Sequence, residues 1–185
     1  MISKQILVVE GSQKLSICLI KALLQEGHRV TYLFLDRPSW LEEWESSEVR
    51  LHGLKHDLCG SLFLPVDEVY DLSCTKQASE ESSIKRAIFG AFHLLALVKR
   101  AKARLLQLIP SLYEEGSNAP IYALLEMLSQ EHSKTQLPIK LVRFSKEFDP
   151  ASDLENSVFS LLNIMKDPAK VGTIPLTSDQ EALLF

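Results

Sequence analysis

The residues of greatest chemical interest lie near the N-terminus, between a strand-like run and a helix-like run. Residues 6–30 read ILVVEGSQKLSICLIKALLQEGHRV, which predicts a strand, a tight turn, an amphipathic helix and a second strand. A unit of this kind binds the pyrophosphate of a dinucleotide when three glycines stand in the turn at G-x-x-G-x-x-G spacing. Here Glu10, Gln13 and Ser16 occupy those places, and Gly11 remains between the first two. The segment therefore has the frame of a binding loop without the residues that the ligand requires.

The substituted side chains oppose a phosphate ligand. Glu10 places a carboxylate where two phosphate charges would lie, and like charges about 4 Å apart repel by about 1 kcal/mol in water and by more when partly desolvated. Gln13 adds bulk where the backbone would have to touch the ligand. We therefore predict that NAD binding is lost and that the protein has no cofactor.

Other polar residues are candidates for ligand contacts or for altered chemistry. Asp36 stands about two residues later than the position of an acidic residue that binds the adenosine ribose, and its setting in DRPSW favours a turn and a helix cap. Further candidates lie in loops or near predicted strand ends, namely Asp57, Ser73, Cys74, Ser111 and Tyr122. None of them forms a Ser-His-Asp or Cys-His arrangement that the sequence can place.

Bulk properties exclude several classes of protein. With 185 residues and a net charge of −4, the chain can bury a sizeable core and has no general electrostatic affinity for nucleic acid. No apolar run reaches the roughly 20 residues of a membrane span, and the N-terminus predicts a first strand and no signal peptide. The three cysteines lack C-x-x-C spacing, which favours reduced thiols in the cytoplasm. The histidines lack H-x-x-x-H spacing, and we predict no metal site.

Apolar periodicity predicts alternating strands and helices, with a last helix that Asp153 caps and that ends near Met165. The predicted strands are 5–9, 30–35, 49–54, 66–72, 104–109 and 139–144, and the other helices are 15–27, 40–44, 82–100 and 121–132. Gly27 is predicted to end the first helix as its C-cap, and the tail from Asp167 is predicted to be irregular. This order predicts an α/β fold with a doubly wound parallel sheet, Rossmann-like, over residues 1–150 and a short C-terminal part over 151–185.

Several stretches together carry a resemblance. They are residues 6–30, KHDLCGSLFLPVDEVYDLSC, IKRAIFGAFHLLALVKRAKARLL, and IYALLEMLSQEH followed by LPIKLVRFSKEFDP. In order and spacing they resemble the extended short-chain dehydrogenase/reductase (NAD-dependent epimerase/dehydratase) family, most closely the UDP-glucuronate decarboxylases, also called UDP-xylose synthases. The resemblance covers roughly residues 4–165. It implies a Rossmann fold, and it implies that Asp57 matches an adenine-contacting Asp.

The resemblance also marks what this chain lacks. The family's Tyr-x-x-x-Lys pair is reduced to Tyr122 with Glu126 at the lysine position, and a carboxylate there is expected to raise the pKa of the tyrosine, making it a poor base. The family's Ser or Thr falls at Pro110, and the adjacent Ser111 is expected on the opposite face of the strand. The C-terminal substrate lobe is truncated relative to that family.

These losses favour a non-catalytic pseudoenzyme that acts as a protein-binding, scaffold or regulatory module. The resemblance implies a homodimer through helices near 82–101 and 119–134, with Phe89, Phe92, Leu125 and Leu128 as candidates for the exposed face, or a heteromeric contact with another protein. One alternative is an NAD-independent enzyme with a repurposed cleft at the C-terminal edge of the sheet, where Glu10 could act as an acid or base. Another is a nucleotide or sugar-nucleotide binder that holds adenine through Asp57.

Overall fold

Parallel strands form the centre of the protein. The computed structural model describes residues 2–34, 36–45, 51–55, 65–73, 92–110, 127, 138–144, 154–167 and 172–176. The strands are β1 (Gln5–Val9), β2 (Arg29–Phe34), β3 (Leu51–Lys55), β4 (Glu68–Asp71), β5 (Arg104–Pro110), β6 (Ile139–Phe144) and β7 (Gly172–Leu176). They make one sheet in the order β3-β2-β1-β4-β5-β6-β7, and every pairing in it is parallel.

The strand order creates a switch point between β1 and β4. From β1 the chain moves outward to β2 and β3, and it then returns to the other side of β1 to build β4 through β7. In open sheets of this kind, ligands bind in the crevice beyond the carboxyl ends of the two strands at the switch point. The loop that follows β1 lies at this crevice.

Helices cover both faces of the sheet, which confirms the predicted doubly wound α/β fold. They are α1 (Gln13–Gln25), α2 (Trp40–Glu45), α3 (described over 92–101) and α4 (Leu154–Lys166). Because successive side chains of a strand point to opposite faces, Ile6 and Val8 of β1 join the core under α1, α2 and α4. Leu7 and Val9 join the core under α3. Burial on both faces explains why the strands are nearly continuous apolar runs.

The helix α1 follows its sequence pattern closely. Its buried face is formed by residues at helical spacing, namely Leu15, Ser16, Leu19, Ile20 and Leu23. Just past its end, Gly27 has a φ of +83°, a left-handed conformation that glycine adopts without strain. The Gly27 N–H donates to the Leu24 carbonyl at 2.9 Å, and the His28 N–H donates to the Leu23 carbonyl at 3.1 Å. Glu26 stands at the C-cap position and Gly27 follows it, so the predicted end of the helix at Gly27 is confirmed.

Two cations, one buried and one half-buried, hold the C-terminal end of α4. The Lys140 side chain, whose residue is only 2% exposed, donates from Nζ to the carbonyl oxygens of Ile164 and Asp167. Arg104 donates from a guanidinium nitrogen to the Met165 carbonyl at 3.0 Å. These are carbonyls that the helix itself cannot satisfy, and they carry the negative end of the helix dipole. A lysine and an arginine from neighbouring strands thus cap α4.

The same edge of the sheet buries a carboxylate between two cations. Glu68 accepts from Lys4 Nζ at 2.6 Å and from the Arg104 guanidinium, and it lies beside Tyr70. Burial raises the pKa of the Tyr70 hydroxyl far above its usual range, and the adjacent Glu68 charge adds to this effect. The cluster ties β1, β4 and β5 together at their amino ends, on the opposite edge from the β1–β4 crevice.

The structure corrects one part of the sequence prediction and leaves another outside the described residues. We predicted an irregular tail from Asp167, but residues 172–176 form β7, which pairs with β6 from Lys140↔Gly172 to Phe144↔Leu176. Pro175 within this segment argued against a strand, yet proline is tolerated on an edge strand, whose outer side needs no partner. The helix expected over 121–132 lies outside the described residues except for Met127, which is helical.

Candidate functional site

The loop after β1 is anchored on both sides at the switch point. The Glu10 N–H donates to the Leu33 carbonyl of β2 at 2.8 Å, so β1 pairing continues one residue beyond the strand. On the other side, the Leu72 N–H, just after β4, donates to the Val9 carbonyl at 3.4 Å. Strands β2 and β4 therefore fix the point at which the loop begins, and Glu10 is the first residue of the crevice.

The loop backbone has none of the conformations that require glycine. Within the described residues, positive φ occurs only at Gly27 and Lys102, so every residue from 10 to 16 has a negative φ. Side chains at Glu10, Gln13 and Ser16 are consequently accommodated without backbone strain. The sequence change and the backbone conformation agree, because the loop that lost its glycines is built in a form that does not need them.

Ser16 joins the loop to the neighbouring strand. Its side chain is fully buried (0% exposed), and its Oγ accepts a 3.3 Å hydrogen bond from the N–H of the buried Gly11. The same side chain lies beside the hydroxyl of Tyr32 in β2. Burial raises the pKa of the Tyr32 hydroxyl far above its usual range; the neighbouring Ser16 hydroxyl opposes this rise and the Glu10 charge adds to it. A backbone donor of the loop is thus taken up inside the protein.

Aromatic rings pack beside this contact. The Tyr32 ring lies 5.3 Å from the Trp40 ring of α2, and Trp40 lies 5.2 Å from Trp44 in an edge-to-face arrangement. Lys21 Nζ of α1 stands 5.7 Å from the Trp44 ring centre, within the range of a cation–π contact. The short helix α2 is therefore held against α1 and β2 by aromatic packing.

A second polar group at the carboxyl edge was missed by the sequence analysis. Gln107 Nε2 donates to Asp71 Oδ2 at 2.9 Å, and the Ser73 N–H donates to Asp71 Oδ1 at 3.0 Å, with Asp71 and Gln107 both buried. Asp71 ends β4 next to Val9 of β1. Its signal was present in the sequence, since VYDL and LLQLI place Asp71 and Gln107 in runs that burial on both faces should keep apolar.

The two acidic residues of the crevice lie on opposite faces of the sheet. Glu10 follows Val8 at two-residue spacing and shares the α1 face with Tyr32, whereas Asp71 follows Val69 on the α3 face. The structure therefore brings Glu10, Gly11 and Ser16 together with Tyr32, and it places Asp71 with Gln107 in a separate polar pair.

The remaining predicted site residues divide into those described and those not described. Asp36 is an exposed residue after β2, four residues before α2 begins at Trp40, so the expected capping role is wrong. Pro110 is the last residue of β5 and pairs in register with Phe144 of β6. Gln13 is exposed at the start of α1. Outside the described residues lie Asp57, Cys74, Ser111, Tyr122 and Glu126.

The described part of the chain has no cluster of metal ligands and no helix that could span a membrane. No group of three or more His, Cys, Asp or Glu side chains there could hold a metal ion. Among the helices that the structure describes, none is long and apolar enough to cross a membrane.

Comparisons with known proteins bear on the fold. No family sequence model matches the chain, and no curated protein matches its sequence. Serine dehydrogenase from Escherichia coli superimposes with a TM-score of 0.70 at 11% identity, over 93% of this chain and 96% of that chain. A variant of a Serratia marcescens short-chain dehydrogenase/reductase gives 0.69 at 13%, over 94% and 96%.

An epimerase superimposes equally well but extends further. UDP-N-acetylglucosamine 4-epimerase from Bacillus cereus gives a TM-score of 0.69 at 13% identity, over 96% of this chain but 76% of that chain. The shorter extent of this chain is thus seen against the epimerase and not against the two dehydrogenases. At these identities the likeness establishes the architecture, and the chain has the fold shared by the short-chain dehydrogenases/reductases and the related epimerases.

Proposed function

We propose that this protein is a non-catalytic Rossmann-type module that has lost NAD binding and works by binding protein, as a scaffold or regulatory unit. The observation that carries the proposal is the closed loop at the switch point. A glycine-rich loop offers its backbone N–H groups to a pyrophosphate, whereas here the Gly11 N–H donates to the buried Ser16 hydroxyl. Glu10, the first residue of the same loop, carries a negative charge that adds to the rise in the pKa of Tyr32.

The electrostatics of the loop support the same conclusion. A pyrophosphate bound there would need to approach Glu10, and the attraction of the α1 N-terminus for an anion is worth about 1 kcal/mol, no more than the repulsion from one nearby carboxylate. The first turn of α1 has no acidic residue, and its basic residue Lys14 is exposed. The remaining attraction is therefore too small to recover the contacts of a glycine loop.

Calorimetric titration of the purified protein with NAD and NADP tests the loss of cofactor binding. We expect no binding at ligand concentrations up to about a millimolar. A Kd of about a millimolar corresponds to a binding free energy of only about 4 kcal/mol. A variant with Glu10→Gly, Gln13→Gly and Ser16→Gly is the informative comparison, because recovery of binding would identify the loop as the cause. Clear binding of NAD by the unmodified protein at sub-millimolar concentration would contradict the proposal.

We propose a second copy of this chain as the first partner to test. Two exposed apolar side chains support it, because Phe92 of α3 is 46% exposed and Met127 is 62% exposed, and both lie within the helical regions near 82–101 and 119–134 that the resemblance implicates. A heteromeric protein partner on the same surface is the other possibility. The oligomeric state in solution distinguishes the two.

A specific observation favours one alternative function, an NAD-independent enzyme or nucleotide binder with a repurposed cleft. Asp71 is a buried carboxylate at the carboxyl edge of the sheet, held by Gln107 and by the Ser73 N–H, and positioned acids of this kind serve as general acids or bases. Thermal-shift titration with UDP-sugars and ATP tests it. Stabilisation that Asp71→Asn abolishes would favour the cleft over the scaffold.

A further inference from the structure

We infer that Ser16 and Tyr32 form a lock that holds the loop at residues 10–16 in its closed shape. The inference rests on the proposed function, because a locked loop would keep the dinucleotide site from opening. The lock consists of three groups from three successive elements. These are the Gly11 N–H after β1, the Ser16 hydroxyl in α1 and the Tyr32 hydroxyl in β2.

The hydrogen-bonding capacity of a serine hydroxyl determines which group donates and which accepts in the lock. A hydroxyl carries one proton and can accept in addition. Ser16 Oγ accepts from the Gly11 N–H at 3.3 Å, so its own proton is available to Tyr32. One side chain can therefore interact with both the loop and β2 through its hydroxyl, which neither glycine nor alanine at position 16 could do.

Burial makes the lock more than a surface contact. Gly11 and Ser16 are both buried, and Tyr32 is 1% exposed. Water cannot replace a hydrogen bond that is broken in such a place, so removing the Ser16 hydroxyl leaves the Gly11 N–H without its acceptor. The loop can satisfy that donor again only by moving.

A simpler explanation for Ser16 is steric. A small residue at this point lets α1 pack closely on β1 and β2, and alanine would serve as well as serine. The two explanations differ in what they predict for one atom. If Ser16 matters only for its size, the Gly11 amide is equally protected with alanine; if Ser16 is the lock, that amide is exposed to exchange.

Hydrogen exchange of the Gly11 amide, measured by NMR on ¹⁵N-labelled protein, tests the lock. We expect Ser16→Ala to accelerate Gly11 exchange about tenfold, the effect of losing one hydrogen bond, while amides in the centre of α1 keep their protection. Ser3→Ala is the matched control, since it also removes one hydroxyl-to-backbone bond, from Ser3 Oγ to the Gly27 carbonyl at 2.8 Å. If alanine destabilises the whole protein, Ser16→Cys keeps the volume with a much weaker acceptor.

Tyr32→Phe tests the second half of the lock. It removes the hydroxyl and keeps the ring in its packing, so Gly11 exchange should accelerate by less than with Ser16→Ala. Unchanged Gly11 exchange in Ser16→Ala overturns the lock, and unchanged exchange in Tyr32→Phe overturns the role of Tyr32. A uniform acceleration of amide exchange across α1 and β1 would show only a general loss of stability and would also overturn the lock. NAD binding by the unmodified protein is measured separately, so failure of the proposed function does not alter this result.

Discussion

Single buried polar side chains fix the positions of whole elements in this protein. The Ser16 side chain of α1 holds the loop after β1 through the Gly11 N–H, and Lys140 connects β6 to the end of α4. In each case one side chain satisfies backbone groups that lie out of reach of water, so its loss costs the desolvation of those groups as well as the bond. Residue-scale effects on stability should therefore concentrate at a few buried donors and acceptors.

Two lysines at the same helix end provide a matched test of this principle. Lys140 is buried against α4 carbonyls, whereas Lys166 is about half exposed and pairs with Glu26 at 2.7 Å. Because it leaves carbonyls of α4 without a donor, we expect Lys140→Met to lower the free energy of unfolding by about 1–3 kcal/mol. Lys166→Met removes an exposed ion pair and should cost at most about 1 kcal/mol. Urea unfolding followed by circular dichroism measures both, and equal effects would contradict the capping role of Lys140.

At the scale of elements, apolar periodicity was sufficient to predict most of the described framework. Burial on both faces leaves continuous apolar runs at β1, β5 and β6, and these were recognised within a residue or two. The strand β7 was not predicted because its stability comes from hydrogen bonding to β6 and not from its own sequence. A strand with glycine and proline in GTIPL is stable only when it pairs with a neighbour, and that pairing is not visible in sequence.

In the candidate site, the sequence likewise identified residues at a recognisable spacing but not the contacts that depend on packing. Glu10, Gln13 and Ser16 could be identified because they replace glycines at a recognisable spacing. The participation of Tyr32 could not be predicted, since it depends on how α1 packs against β2. Asp71 and Gln107 are neighbours only because β4 and β5 pair in register, although their sequence separation is 36 residues.

The end of α1 allows an element-scale prediction. Gly27 has a φ of +83°, and an added Cβ would meet nothing within 4 Å, so the requirement for glycine there is conformational. Gly27→Ala should lower the free energy of unfolding by about 1–2 kcal/mol, the cost of a left-handed conformation for a residue with a side chain. Gly27→Asn is the control, because asparagine tolerates this conformation better, and it should cost less in thermal unfolding. Equal costs for the two variants would contradict this explanation.

At the scale of the whole molecule, the proposed dimer can be tested through its exposed residues. Phe92→Glu and Met127→Glu place charges in the proposed contact and should raise the dimer dissociation constant about tenfold or more. Phe159→Glu is the matched control, because Phe159 is 59% exposed on α4, outside the two helical regions. Light scattering at micromolar concentration measures the outcome. A monodisperse monomer before any substitution would contradict the homodimer.

Two buried tyrosines predict how the folded state responds to alkali. The pKa values of Tyr32 and Tyr70 are both raised, mainly by burial, so the folded protein holds these protons more tightly than the unfolded chain does. The contribution of these two protonated tyrosines to the free energy of unfolding is fully present below the ordinary tyrosine pKa of about 10. It is lost as the pH rises above that value. We expect cooperative alkaline unfolding above about pH 10.

The alkaline transition can be assigned to a residue by comparing phenolate absorbance with helical circular dichroism as the pH is raised. In Tyr70→Phe one ionising group is absent, so unfolding should begin at higher pH. An unchanged alkaline midpoint in that variant would show that other groups cause the transition.

The aromatic packing of α2 gives this protein an optical property. The chain has two tryptophans, and both lie in this helix with ring centres 5.2 Å apart and planes inclined at 71°. Two indoles at that separation and inclination couple their electronic transitions and produce a paired positive and negative band in circular dichroism. Because every indole in the molecule belongs to this pair, the tryptophan spectrum reports on the packing of one six-residue helix against Tyr32 and is silent about the rest of the sheet.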